Sequence, residues 1–140
     1  MTREEVQQFL TANTVLQVAT IGADGWPHVA PMWYVMDDGE VVFRSFTKSQ
    51  KIVNLTRNPN LTVLVETGDE YSQLQGVMIK GTARLVADPQ YVVSVYAGLA
   101  AKYPMINDAP VDLDAAAAEA AFGRYAAKNT AFVVEAECSG

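Results

Sequence analysis

The sequence predicts a small α+β protein that is mainly β, with six short antiparallel strands in a barrel or sheet and a few helices attached. Three observations predict this class. Short apolar runs rich in β-branched and aromatic residues recur along the 140 residues. Turn signals separate the early runs, and capped helix starts lie between the later ones. Closing the sheet into a barrel would also remove exposed strand edges.

Local signals set the bounds of each element. Thr2 and Glu5 have capping-box spacing, and Asp88-Pro89 combines an N-cap with a proline in the first turn. The predicted helices cover residues 3–12, 49–57, 89–102 and 114–128, with an irregular segment over 103–112. The predicted strands cover residues 15–21, 27–36, 41–46, 61–67, 77–86 and 130–136.

Two of these elements carry further signals. Pro31 lies inside the second strand. Because proline has no amide hydrogen, it is predicted to break this strand at a bulge or to mark a sheet edge. Thr47 and Gln50 are predicted to cap the second helix, and Asn58-Pro59 is predicted to end it.

The composition disfavours several functional classes. The chain carries 10 basic and 16 acidic residues, a net charge of −6, which argues against a general nucleic-acid-binding role. One histidine, His28, and one cysteine, Cys138, leave no internal disulfide and argue against a structural zinc site. No G-x-S-x-G nucleophile motif is present. No apolar run approaches the roughly 20 residues of a membrane span, and the first ten residues lack the order of a signal peptide. We therefore expect a single cytoplasmic domain without a membrane partner.

Residues 43–59, FRSFTKSQKIVNLTRNP, place a basic cluster at the end of a strand and in the first turn of a helix. Helix amino termini present free backbone N–H groups and a partial positive charge, so they attract phosphate. Hydroxyls and cations next to them make this segment a candidate phosphate site. Its polar members are Arg44, Ser45, Thr47, Lys48, Ser49 and Lys51. The alternative is an ordinary capped helix start in solvent.

A second candidate is the apolar strand HVAPMWY, residues 28–34. A flat heteroaromatic ring can lie along such a strand and bond to backbone groups that the proline leaves free. The alternative is that Met32 and Trp33 pack in the core or at a dimer contact. His28 by itself is more often a satisfied surface or edge residue than a catalyst.

Taken in order and spacing, ATIGADGWPHVAPMWYV, DDGEVVFRSFTKSQKIVNLTRNP and VMIKGTARLV resemble the pyridoxamine 5′-phosphate oxidase-like superfamily. Its members are FMN-binding split β-barrels and include the F420 (deazaflavin)-dependent reductases. The SQK-x-x-N-L-x-x-N-P run, residues 49–59, is the most specific part of the resemblance. The resemblance implies a six-stranded antiparallel split barrel that works as a homodimer, with two cofactor sites at the subunit interface.

The resemblance also implies a set of cofactor-binding residues. Residues 29–34 would run along the ring, and Arg44 with Ser45 matches the family's second contacting pair. Gln50 and Lys51 fall on the Arg-Lys pair that grips the phosphate, so Lys51 would be the main cation, helped by Lys48. Gln75 or Gly76 lies near the family's contact from the second subunit. The implied residues are Val29, Ala30, Pro31, Met32, Trp33, Tyr34, Arg44, Ser45, Lys48, Ser49, Gln50, Lys51 and Gln75.

The implied cofactor is F420 or FMN, and the implied function is an oxidoreductase that transfers hydride to or from a small conjugated substrate. The oligoglutamate tail of F420 is polyanionic and would need a basic groove. Residues available for such a groove are Lys48, Arg57, Lys80 and Arg84. Pyridoxamine phosphate is not the expected substrate, because the tryptophan- and arginine-rich C-terminal segment of the true oxidases has no counterpart here.

Two other functions stay open. The chain could bind or carry FMN, F420 or haem without turnover, since the sequence presents no convincing acid–base pair for proton delivery. Tyr34, His28 and Tyr71 are only candidate proton donors. Alternatively, the protein is a structural or partner-binding barrel in which the Lys51 cluster merely caps a helix.

Overall fold

A computed structural model describes residues 1–103, 122–123 and 125–137. It confirms the predicted α+β class. The helices are α1 (Arg3–Ala12), α2 (Gln50–Arg57) and α3 (Pro89–Lys102). The strands are β1 (Val15–Ile21), β2 (Pro27–Trp33), β3 (Val35–Asp37), β4 (Glu40–Phe46), β5 (Asn60–Thr67), β6 (Gln75–Val86) and β7 (Asn129–Ala136).

The strands form one antiparallel sheet of seven, in the order β2-β1-β5-β6-β7-β4-β3. β2 and β3 lie at opposite ends of this order, yet Tyr34 alone separates them in sequence. The sheet therefore has to curl back on itself, as in a split barrel. The prediction of six strands was wrong by one because it treated residues 27–36 as a single strand.

The strand breaks at Tyr34 and not at Pro31. The N–H of Tyr34 donates to the Tyr103 hydroxyl at 3.3 Å, and its carbonyl oxygen lies 3.0 Å from that same hydroxyl. Both backbone groups of Tyr34 are thus hydrogen-bonded to the side chain of Tyr103, the residue that follows α3. They therefore do not pair with a neighbouring strand. Pro31 of β2 pairs with Gln17 of β1. Because β2 stands at one end of the sheet order, Pro31 lies on an edge strand, as one of the two predicted alternatives had it.

Two apolar clusters hold the fold together. One fills the barrel interior, where Phe43 and Phe132 meet edge to face with ring centroids 3.5 Å apart. The other lies between α3 and the outer face of β4 and β7, around Val42 and Val133. Neighbouring residues of a strand point to opposite faces, so β4 is buried on both sides. This double burial determines where the polar residues of β4 can point.

The helix starts follow mostly from local sequence. The capping box of Thr2 with Glu5 and the Asp88-Pro89 start of α3 are both confirmed. The predicted cap of α2 was wrong, because Ser49 and not Thr47 accepts the first-turn hydrogen bond. The Thr47 hydroxyl instead lies 2.9 Å from the Thr130 hydroxyl, since β7 runs alongside the end of β4.

Two predictions fall largely outside the described residues. They are the irregular segment over 103–112 and the alanine-rich helix over 114–128, of which residues 122–123 and 125–126 are described and helical. Within the described ranges, none of the helices is long and apolar enough to cross a membrane.

Candidate functional site

The two polar residues at the end of β4 point to opposite faces of the strand. The Ser45 hydroxyl is buried and donates to the Ser49 hydroxyl at 3.0 Å, on the face that α2 covers. The Arg44 guanidinium lies on the other face, 4.7 Å from the centre of the Tyr96 ring on α3. The structure therefore brings Ser45 to the α2 start and separates the Arg44 side chain from it.

The amino terminus of α2 has the chemistry of an anion site. The Ser49 hydroxyl accepts from the Ile52 N–H, and the first helical hydrogen bond runs from the Val53 N–H to the Ser49 carbonyl. The amides of Gln50 and Lys51 precede that bond, as in any first helical turn. The first turn holds no acidic residue. Neither ion pair found among the described residues involves Lys51 or Lys48.

Gln50 does not direct its amide nitrogen to this site. Its side-chain N–H donates at 2.7 Å to Oδ1 of Asn54, which is fully buried. The Asn54 amide donates in turn to the Thr20 hydroxyl at 3.1 Å. Arg57 bonds to both Asn54 and the carbonyl of Ile21. This network, the Asn54 network, fixes α2 against the end of β1.

Asn54 is a residue that the sequence reasoning did not single out. The signal was present, because Asn54 is the asparagine of the SQK-x-x-N-L-x-x-N-P run. A polar residue in a buried helix position usually has partners that satisfy it. Gln50, where the resemblance implies an arginine, therefore lacks more than a charge, since its amide is also occupied by Asn54.

β2 presents an apolar outer face to solvent. Val29 and Trp33 are 60% and 44% exposed, whereas Ala30 and Met32, which alternate with them, are half-buried. The outer face continues across the sheet through Leu64 of β5, which pairs with Met78 of β6. Met78 is 68% exposed. Apolar side chains that lie together on an outer sheet face are typical of contact surfaces.

A cavity of about 340 Å³ opens between α3, β2 and β4. Its walls include Val15, Trp33, Arg44, Tyr96, Leu99 and Phe122. It lies on the α3 side of β4, whereas Ser45 and Ser49 lie on the α2 side. Three predicted residues of the ring strand, Pro31, Met32 and Trp33, line this cavity together with Arg44.

The candidate proton donors have different surroundings. The Tyr34 hydroxyl donates to the Leu10 carbonyl, and burial raises the pKa of Tyr34, so this hydroxyl is occupied by α1. Tyr71 is 92% exposed in the loop before β6. His28 faces Thr20 across the β1–β2 pair, and its Nδ1 is buried without a hydrogen-bond partner in the described structure.

Lys102, at the end of α3, is half-buried with its Nζ enclosed, and no sequence pattern predicted this. Its Nζ lies 3.8 Å from the centre of the Tyr34 ring and 5.5 Å from that of Tyr103, with no hydrogen-bond partner in the described structure. Burial lowers the pKa of Lys102 to about 8. Only the packing of α3 against the β2–β3 break creates this environment.

Gln75 lies at the end of β6 that is remote from Ser45 and its strand neighbours. Gln75 begins β6. At the far end of β6, Val86 pairs with Ala131 of β7. The residue next to Ala131, Thr130, pairs with Ser45 of β4. Eleven steps along a strand at about 3.3 Å each separate the two ends by roughly 36 Å of strand. A single subunit therefore does not bring Gln75 to the start of α2.

The chain is similar to known proteins over nearly its full length. A family model described as pyridoxamine 5′-phosphate oxidase matches residues 2–136. The solved structure of a conserved hypothetical protein from Mycobacterium tuberculosis superposes with a TM-score of 0.86 at 30% identity, covering 99% of this chain and 82% of that one. An F420 reductase gives 0.67 at 25% identity, covering 94% and 93%. A haem storage protein from Vibrio cholerae gives 0.69 at 18% identity, covering 97% and 90%, a likeness of fold alone. No curated protein matches the sequence.

Proposed function

Because the chain belongs to the pyridoxamine 5′-phosphate oxidase family, we propose that it is an oxidoreductase that binds F420 or FMN at the start of α2. When bound, such a cofactor supplies hydride transfer between its ring and a small conjugated substrate. The observation that carries the proposal is the α2 amino terminus. There, the Ser45 hydroxyl bonds to the N-cap Ser49, and Lys51 of the first turn takes part in no ion pair among the described residues.

The residues present fit a phosphate of low charge. Lys51 is the cation of the first turn, with Lys48 exposed just before it, while the Gln50 amide is held by Asn54. The phosphate of F420 is a diester with one negative charge, whereas a phosphate monoester such as that of FMN carries about −1.5 to −2 at neutral pH. The phosphate group by itself therefore favours F420, in agreement with the similarity to an F420 reductase. Of the residues predicted for the tail of F420, Lys80 and Arg84 are paired with Glu137 and Glu135, which leaves Lys48 and Arg57 for its first carboxylates.

The strand from Val29 to Tyr34 would orient the ring. Its outer face is apolar and exposed in the single chain, so a ring against it would need a further cover to exclude water. We assign that cover to a second copy of the chain. Val29, Leu64 and Met78 supply the apolar surface for a homodimer contact, and Gln75 of the second copy would reach the site that it cannot reach within its own chain.

The cofactor choice is tested by titrating purified, cofactor-free protein in parallel with F420 and with FMN, followed by fluorescence. We expect F420 to bind more tightly. A preference for FMN would redirect the proposal to flavin chemistry. If neither cofactor binds, the alternative of a structural or partner-binding barrel is favoured.

Turnover separates an enzyme from a carrier. The described residues around the α2 start include hydroxyls and lysines but no paired acid and base, which favours a carrier as the second candidate. The loaded protein is mixed with quinones, enones and tetrapyrroles, and the absorbance of the reduced cofactor is followed. Oxidation by any acceptor at a rate above that of free cofactor supports the enzyme. Stable binding without oxidation supports the carrier.

The homodimer is tested by sedimentation equilibrium. Met78→Glu places a charge on the exposed face of β6, so we expect it to weaken self-association while the fold is retained. Thr82→Glu, on an exposed position of the same strand, is the matched control. A wild-type protein that stays monomeric at high micromolar concentration would contradict the shared site.

A further inference from the structure

The turn between β5 and β6, residues 68–74, forms an exposed arm at one end of the sheet, here named the β5–β6 arm. Tyr71 is 92% exposed and Leu74 is 51% exposed, so the arm presents two apolar side chains that its own chain leaves uncovered. We propose that this arm docks on the start of α2 in a second copy of the chain, with Tyr71 packed against Phe46. The proposal rests on the shared site of the proposed function, and it names the surfaces that would form it.

The β5–β6 arm has a fixed shape before any docking. A short 3-10 helix covers Tyr71–Gln73, and the Leu74 N–H donates to the Tyr71 carbonyl at 3.3 Å. Gly68 has a φ of 108°, and a Cβ at this position would collide with the Gln73 carbonyl oxygen, so the two ends of the arm are held close together. A turn that is already ordered loses less conformational entropy when it binds.

The start of α2 carries an exposed apolar pair that suits the ring of Tyr71. Phe46, at the end of β4, is 60% exposed, and Val53, on α2, is 47% exposed. The Ser49 N–H donates to the Phe46 carbonyl at 2.8 Å, and the Val53 N–H donates to the Ser49 carbonyl at 3.0 Å. The two side chains thus belong to successive turns at one end of the molecule. Tyrosine is enriched among the residues that dominate binding at subunit contacts.

The charges of the two segments are opposite. Residues 58–79, which include the arm, contain Glu66, Asp69 and Glu70 and no lysine or arginine. Residues 41–57, which include the start of α2, contain lysines and arginines and no aspartate or glutamate. Complementary charges steer two surfaces together and disfavour other orientations. The acidic arm therefore matches the basic α2 start of a second copy.

Lys128 extends the basic surface beside Phe46. Its carbonyl accepts from the Thr47 N–H at 2.9 Å, and its neighbour Asn129 pairs with Phe46 in the sheet. Lys128 is exposed and takes part in neither ion pair of the described residues. The carboxylates of the arm pair with Lys128, which leaves the first turn of α2 to the cofactor.

A two-fold axis brings the two surfaces together twice. Within one chain, the arm precedes β6, whereas Phe46 lies by the far end of β6, because Ser45 and Val86 pair with neighbouring residues of β7. A half-turn about an axis perpendicular to the strands exchanges their ends, so each arm meets the α2 start of the other copy. Docking of the arm also carries Gln75, the next residue along the chain, to the shared site.

Crosslinking tests the contact in cofactor-free protein whose single cysteine is removed by Cys138→Ser. Tyr71→Cys and Phe46→Cys are combined in one chain, and a short bismaleimide is added. We expect a covalent dimer in at least tenfold higher yield than from Tyr71→Cys combined with Gln8→Cys, an exposed position on α1. Equal yields, or an equal yield from Tyr71→Cys alone, would overturn the proposal.

Sedimentation equilibrium tests the energetics. Tyr71→Ala should weaken self-association at least tenfold, whereas Ser72→Ala, exposed in the same 3-10 helix, should not. Lys128→Glu should weaken it several-fold, and adding Asp69→Lys with Glu70→Lys should restore it. All of these positions are exposed, so the fold should be retained, which circular dichroism checks. Equal self-association of the Tyr71 and Ser72 variants, or no recovery in the combined charge variant, would overturn the docking.

These measurements need no cofactor, so the docking and the proposed function can fail separately. Crosslinking through Tyr71 and Phe46 in a protein that binds neither F420 nor FMN would support the docking and contradict the cofactor site. Binding of F420 by a protein that crosslinks no better than its control would support the cofactor site and overturn the docking. A wild-type protein that stays monomeric at high micromolar concentration would overturn the docking as well.

Discussion

The two sides of β4 differ in how they hold their basic side chains. On the α2 side, Arg57 bonds to Asn54 and to the Ile21 carbonyl, and Ser45 bonds to Ser49, although the Nδ1 of His28, opposite Thr20, has no partner in the described structure. On the α3 side, the Nε of Arg44 and the Nζ of Lys102 are buried among aromatic rings without hydrogen-bond partners in the described structure. The difference teaches that the first side is built to fix a helix terminus in place, and that the second retains charge that a ligand or a pH change can address.

The largest effect is expected from breaking the satisfied side. Asn54→Ala removes a fully buried amide and leaves the buried Thr20 hydroxyl without this partner, while Gln50 and Arg57 each lose one hydrogen bond. We expect a loss of about 2–3 kcal/mol in the free energy of unfolding, since each stranded buried group costs about 1–3 kcal/mol. Urea denaturation measures it, with the exposed α1 change Gln8→Ala as control. Substitutions of exposed residues usually change the free energy of unfolding by less than ~0.5 kcal/mol. A loss that small for Asn54→Ala would mean that the Asn54 network does not hold α2 in place.

Next in size is the removal of the α2 cation. Lys51→Ala should weaken cofactor binding by about 1–3 kcal/mol, the usual worth of a hydrogen bond to a charged group, or roughly 5- to 150-fold. Stability should change little, because Lys51 makes no ion pair among the described residues. Arg3→Ala, which removes an exposed cation at the start of α1, is the matched control. Equal affinities of the two variants would remove the assigned phosphate site.

A pH effect tests the unsatisfied side. The pKa of Lys102 is about 8 in the folded chain, against 10.5 ordinarily, because burial disfavours its charge. Between those values the unfolded chain binds more protons, so wild-type stability rises with pH over that window. Lys102→Met carries no charge at this position, so its free energy of unfolding at pH 7 should exceed that of the wild type by about 1 kcal/mol. This is less than the full pKa shift would give, because the lysine is only half-buried and its charge lies over the Tyr34 ring.

The measurement for Lys102 is a series of urea denaturations of both proteins from pH 7 to 10.5. The advantage of the methionine variant should shrink as pH rises through 8. An advantage that stays constant across the series would show that the lysine keeps its ordinary titration.

The smallest effect sharpens the cofactor choice. Gln50→Arg restores the second cation of the family pair, at the cost of the hydrogen bond to Asn54. We expect FMN to gain affinity a few-fold relative to F420, because its monoester carries more charge. The ratio of the two dissociation constants measures this, with Gln50→Leu as a neutral control. If the ratio changes equally in both variants, the cause is the loss of the hydrogen bond between Gln50 and Asn54 and not a contact of the new arginine with the phosphate.

Much of the fold followed from the sequence, whereas the site followed only in part. The helix starts at Thr2 and Asp88 and the placement of the strands, apart from the division of β2 from β3, came from local patterns. The residues around Ser45 and Lys51 were predicted to form one site with Arg44. The strand period of two already implies that Arg44 and Ser45 diverge. The packing of a different helix on each face of β4, however, is not a local property.

The sequence by itself determined the elements, because caps, turns and strand periodicity depend on residues a few positions apart. Gly39, at a φ of 81°, supplies the hairpin conformation that its neighbours favour. Tertiary structure alone decided the break at Tyr34, the burial of Asn54 against Thr20 and the burial of the Lys102 Nζ. Each depends on a side chain from a distant segment, such as Tyr103 on Tyr34 or Asn54 on Thr20, and such pairings arise only when the curled sheet brings those segments together.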